Sequence, residues 1–152
     1  MESSKEVLLK NLKNYCNCYS NRALAKKLGI SLDVVKNWSC GRSSPSIKQI
    51  DEIAFRINVE VAQLLIPDNT FTLDTPLWKE GVLNDFVVKL GRLKNEKGIT
   101  EKYFEINYRD FSDINYRRFL DYIRGDVKRF NLKKLDQLAV MLCIEPYELL
   151  RR

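Results

Sequence analysis

Within residues 20–44 of this 152-residue chain, SNRALAKKLGISLDVVKNWSCGRSS, polar and charged side chains recur where two short helices would expose them. On the segment 32–39 the inward side is Val35, Trp38 and Val34, and the outward side, with the residue before it, is Ser31, Leu32, Asp33, Lys36 and Asn37. That outward set has the chemistry of base-edge recognition. Asn37 can make a bidentate bond to adenine, Lys36 can reach guanine or a phosphate, and Leu32 can touch a thymine methyl. Asp33 can accept from cytosine or repel a phosphate. Asn21 and Arg22 open the preceding helix, where free backbone N–H groups and a positive dipole end suit a phosphate. Arg42, Ser43 and Ser44 follow the outward helix and can grip a phosphate backbone on its far side. The same residues would also serve as the solvated face of a small helical domain, because the apolar pattern by itself establishes only a fold.

The elements that must position these groups are legible in the apolar spacing. Leu24 and Leu28 lie one helical turn apart and face inward. Ala25 leaves room for a close crossing, and Gly29 can take the left-handed conformation that ends the first helix. Ile30 plugs the turn, Ser31 can cap the second helix, and Val35 and Trp38 return it to the core. This is the arithmetic of a helix-turn-helix. Upstream, Val7, Leu8, Leu12 and Tyr15 predict a helix over 6–15, with Ser3 or Ser4 as its cap. Downstream, Ser46 and Gln49 form a capping box for a helix burying Ile47, Ile50, Ile53, Ala54 and Ile57, which Asn58 breaks. A last short helix spans 60–66, and Pro67 closes a unit of five helices without a strand signal.

Residues 67–76, PDNTFTLDTP, read as an extended linker, with Phe71 and Leu73 able to pack on a neighbour. From 77 the helical pattern resumes. A helix over 82–94 is expected, then one capped by Thr100, one over 115–124, one capped by Asn131, and a last one with Pro146 in its first turn. The two halves repeat each other. Trp38 and Gly41 correspond to Tyr122 and Gly125 at an offset of 84; Ile47, Ile50, Ile53, Ala54, Ile57, Val59 and Leu64 correspond to Leu132, Leu135, Leu138, Ala139, Leu142, Ile144 and Leu149 at 85. Pairing Leu24 with Phe104 needs an offset of only 80, so about four extra residues fall between the two inner helices of the second copy, where no Gly marks the turn. The second half is therefore expected to keep the fold and present its third helix differently. The fold class expected is all-α: two tandem five-helix domains, 1–66 and 77–152, joined by the linker 67–76.

Composition narrows the function. The chain is 45% hydrophobic and 30% charged, which suits a folded soluble protein. A net charge of +6 is compatible with a polyanionic partner. Residues 1–66 hold ten basic against six acidic side chains and residues 77–152 sixteen against twelve, so both halves carry the excess. In the second half Arg117, Arg118, Arg124, Lys128 and Arg129 form a basic cluster, either a second nucleic-acid contact or a solvated face interleaved with aspartates. There is no His, hence no common neutral-pH general base, no Gly-rich phosphate loop and no nucleophile elbow, so an enzyme is not expected. The four cysteines, Cys16, Cys18, Cys40 and Cys143, read as free thiols, with no metal or cofactor expected. No apolar run approaches the ~20 residues of a membrane span and no signal peptide is evident, so a cytoplasmic location without membrane association is expected.

LAKKLGIS, VKNWSCGRSSPS, QIDEIAFRINV and the following LL resemble the phage repressor/Cro (XRE-type) family of helix-turn-helix domains, with its small-residue, Gly-Ile-Ser, Trp-x-x-Gly and Pro positions all present over about residues 6–66. The resemblance implies a lambda-repressor-like five-helix domain that binds double-stranded operator DNA, usually as a homodimer on two-fold symmetric sites. Leu32 and Asp33 depart from the uncharged polar side chains that often read bases there, which leaves the target sequence open. The resemblance of 77–150 is weaker and rests on the repeat. The expected function is a sequence-specific transcriptional regulator of repressor type, of phage or mobile-element origin. The alternative is an autoregulated inhibitor or adaptor, resembling some anti-CRISPR proteins, whose second domain binds a protein.

Overall fold

The computed structural model describes residues 2–71, 81–111 and 113–151. Residues 72–76 of the expected linker, Leu73 among them, and the first residues of the expected second domain, 77–80, lie outside the described residues. The described residues fold into ten helices and no strand: α1 Ser4–Cys16, α2 Asn21–Leu28, α3 Leu32–Ser39, α4 Ile47–Ile57, α5 Val61–Leu64, α6 Val82–Lys97, α7 Glu101–Asn107, α8 Tyr116–Ile123, α9 Leu132–Leu142 and α10 Pro146–Leu150. No helix among them is long and apolar enough to cross a membrane.

Local chemistry sets most of the boundaries. Ser3 rather than Ser4 caps α1, in a capping box with Glu6, so the helix starts earlier than its apolar spacing predicts. Ser46 and Gln49 form the capping box of α4, and Thr100, Asn115 and Asn131 cap α7, α8 and α9. Helix α6 runs a turn beyond the expected Lys94, with good helix formers at Glu96 and Lys97, until Gly98 takes φ 62°. Helix α5 is shorter than the expected 60–66. The buried Asn11 amide instead donates to the carbonyls of Leu64 and Ile66, each at 2.8 Å, holding the end of α5 against α1. Phe71 folds back half-buried, its ring 5.1 Å from that of Tyr15.

The core is one continuous cluster drawn from both halves of the chain. Helix α1 packs on α9, α6 on α4, and α5 meets α10. Between them the Ile47 N–H donates to the Phe130 carbonyl and the Leu132 N–H to the Pro45 carbonyl, both at 3.0 Å. Residues 45 and 47 correspond to 130 and 132 at the repeat offset of 85, so this is one hydrogen bond made twice, in opposite directions, around an isolated antiparallel bridge between Ser46 and Asn131. Ser4, also buried, donates its N–H at 3.0 Å and its hydroxyl to the Asp136 carboxylate on α9.

Asp136→Ala removes the acceptor of two donors on a buried residue. It is expected to lower stability by about 1–3 kcal/mol while leaving a single cooperative unfolding transition. Urea unfolding followed by circular dichroism and by Trp fluorescence checks this. An unchanged midpoint, or separate transitions in the two signals, would contradict the shared core.

Candidate nucleic-acid interface

Helices α2 and α3 are held by their own ends. The Ser20 hydroxyl accepts the Ala23 N–H at 3.1 Å, and the Ser31 hydroxyl accepts the Val34 N–H at 3.2 Å. Between the helices only Gly29, Ile30 and Ser31 intervene. Gly29 sits at φ 68°, and the Ile30 N–H reaches back to the Ala25 carbonyl at 3.1 Å, closing the helix end in a Schellman arrangement. Leu24, Ala25, Leu28, Val35 and Trp38 are buried, and α2 packs on α3. At the opposite end the Ser39 hydroxyl donates to the Asn21 side-chain carbonyl at 3.3 Å, tying the start of α2 to the end of α3.

On this frame the sequence-predicted residues fall into three groups. Asp33, Lys36, Arg22, Arg42 and Ser43 are exposed, and no ion pair among the described residues engages Arg22, Lys36 or Arg42. Ser31 is exposed with its hydroxyl occupied by the cap, and Asn21 and Asn37 are half-buried. The Asn37 carbonyl accepts the N–H groups of Arg42 and Ser43 at 3.0 and 3.3 Å, which folds the loop back beside α3. Leu32 packs partly against the core. Ser44 is half-buried, and its hydroxyl accepts the Lys133 N–H at 3.2 Å, so it belongs to the joint between the halves.

Two lysines not singled out in the sequence join the edge of this surface. Lys5 of α1 brings its ammonium to Gly41, where a side-chain carbon on the glycine would stand 3.6 Å from it. Lys133 of α9 sits exposed beside Ser44. Neither is near α3 in sequence, so only the fold places them there.

In the second half α8 keeps the register of α3. Phe119 and Tyr122 are buried as Val35 and Trp38 are, Asn115 takes the cap position of Ser31, and Gly125 repeats the left-handed turn of Gly41. The difference lies before the helix. Residues 108–115 connect α7 to α8, and α7 packs on α8 more loosely than α2 on α3. That longer connection is filled by aromatic rings, with Tyr108 5.1 Å from Phe104 and 6.2 Å from Phe111. Burial, helped by the neighbouring Tyr103, pushes the Tyr108 hydroxyl up to about 12, so it stays neutral. Arg117, Arg118, Arg124, Lys128 and Arg129 are all exposed, Arg117 and Arg118 on α8 and the other three on the loop that runs to the joint. Arg118 lies 3.9 Å from Asp121.

The four cysteines are free thiols, and burial raises that of Cys16, which leaves it protonated. Among the described residues no three His, Cys, Asp or Glu side chains are grouped to hold a metal ion. No protein family model, curated protein or solved structure matches the chain.

Gly29→Ala forces a side chain into the left-handed region and drives its Cβ to 1.9 Å from the Arg56 guanidinium, which must move. The substitution is expected to cost about 1–2 kcal/mol, read as a lower urea midpoint. An unchanged midpoint would show that this turn does not constrain the helix pair.

Proposed function

We propose that the chain is a sequence-specific DNA-binding transcriptional regulator of repressor type that reads duplex DNA in the major groove with the outer edge of α3. In this reading the chain is two tandem five-helix units of lambda-repressor-like fold, residues 1–66 and 77–152. The resemblance of the first to phage repressor/Cro domains makes a phage or mobile-element origin the natural one. The observation that carries the proposal is the α2–α3 pair. A three-residue turn separates the helices, the inner face is sealed by Val35 and Trp38, and the outer face carries Asp33, Lys36 and Asn37, with Arg22 and Arg42 exposed at the end where the start of α2 meets the end of α3. Side chains projecting from a rigid helix are what base-edge hydrogen bonding requires, and flanking cations supply the phosphate contacts that orient it.

The roles follow from chemistry and position. Lys36 and Asn37 contact base edges. Asp33 biases the site toward cytosine and away from close phosphates. Arg22, Arg42 and Ser43, with Lys5 and Lys133 at the edge, hold the DNA backbone.

Lys36→Ala combined with Asn37→Ala leaves the buried face of α3 intact. It is expected to weaken binding to a selected duplex at least tenfold, with folding unchanged by circular dichroism. Fluorescence anisotropy across a salt series checks this, with the wild-type affinity falling steeply as salt rises. Equal affinities of variant and wild type would remove α3 from the reading role. A wild-type chain that binds no duplex even at low salt would favour the inhibitor or adaptor class.

A further inference from the structure

The two backbone hydrogen bonds between Ile47 and Phe130 and between Leu132 and Pro45 define a local two-fold relation. Each half offers the other the same donor and the same acceptor. The neighbouring packing obeys the same relation, since α1 on α9 mirrors α6 on α4 and α5 meets its counterpart α10. This is the form of an isologous dimer interface, made here within one chain. A two-fold rotation leaves height along its axis unchanged. Helices α3 and α8 share cap position, buried face and following glycine turn, and each leads through a short loop into the joint. They therefore stand at the same height along the axis, either side of it.

Their outer faces are not alike. At the offset of 84, Arg117 stands where α3 has Asp33, Leu120 where it has Lys36, and Asp121 where it has Asn37. Arg117 is exposed, while Asp121 is drawn toward Arg118. An arginine reads guanine and an aspartate favours cytosine, so the two helices cannot prefer the same half-site.

Resting on the DNA-reading function proposed above, we infer that a single chain occupies both half-sites of its target and that the half-sites differ in sequence, α3 reading one and α8, through Arg117, the other. The joint fills the place of a subunit interface. The longer 108–115 connection alters how α7 backs α8 without changing which residues α8 turns outward.

The test uses the full chain and duplexes selected by it from a random library. Native mass spectrometry gives the stoichiometry, and hydroxyl-radical footprinting gives the contacts. The expected result is one chain per duplex, protecting two non-identical segments on one DNA face with centres about 10 bp apart. Arg117→Ala should lower affinity about tenfold or more and relax sequence preference in one segment only, while Lys36→Ala with Asn37→Ala does so in the other. Two chains on a palindrome, or preference in both segments untouched by Arg117→Ala, would overturn the inference and leave the proposed function standing. Failure to select any sequence would overturn both.

Discussion

The constraint on which the rest of the structure depends is the exchange of backbone hydrogen bonds at the starts of α4 and α9. The first N–H groups of a helix have no partner within it. Ile47 and Leu132 stand at the first position of their helices with side chains fully buried, so their N–H groups need an acceptor close at hand. Each finds it in the loop of the other half, at the carbonyl of Phe130 or of Pro45. Pro45 is buried there, and as a proline it has no N–H of its own to satisfy. One short bridge thus meets the demands of two helix ends and fixes the register between the halves.

From that joint the position of α3 follows. The loop 40–45 runs from the joint to the end of α3, pinned by the Asn37 carbonyl, and the Asn21–Ser39 hydrogen bond ties the same end to α2. The joint also carries charge to the surface. Lys133, from α9, reaches the edge of the α3 side because its N–H is anchored on Ser44, and Lys5 of α1 approaches from the other direction at Gly41. Two lysines distant from α3 in sequence thereby bring positive charge to the edge of its surface.

The parts of this architecture that depend on neighbours in sequence were legible beforehand. Helices α2 and α3 have the bounds their spacing predicts because Gly29 and Ser31 are local signals whose physics is complete within a few residues. The capping box at Ser46 and the caps at Thr100 and Asn131 are of the same kind, whereas Asn115, expected as the first residue of its helix, is its cap. The repeat announces α8 and α9, and the longer turn without a Gly predicts a differently presented third helix. The buried pair Phe119 and Tyr122 holds the register of α8 regardless. What could not be read was contact between residues 85 apart. A backbone carbonyl at Phe130 or Pro45 has no sequence signature. Ser44, whose type suits a phosphate contact, has its hydroxyl taken by Lys133 through proximity that only the fold creates.

In the proposed function DNA meets the outer faces of α3 and α8. Amide shift mapping by NMR tests this without a known target, because non-specific binding at low salt uses the same electrostatic surface. Titration of the labelled 17.8 kDa chain with a short duplex is predicted to perturb residues around 31–37 and 115–118, with those of α5 and α10 little changed. Perturbations centred on α5 and α10, or none near α3, would place the DNA-binding surface elsewhere.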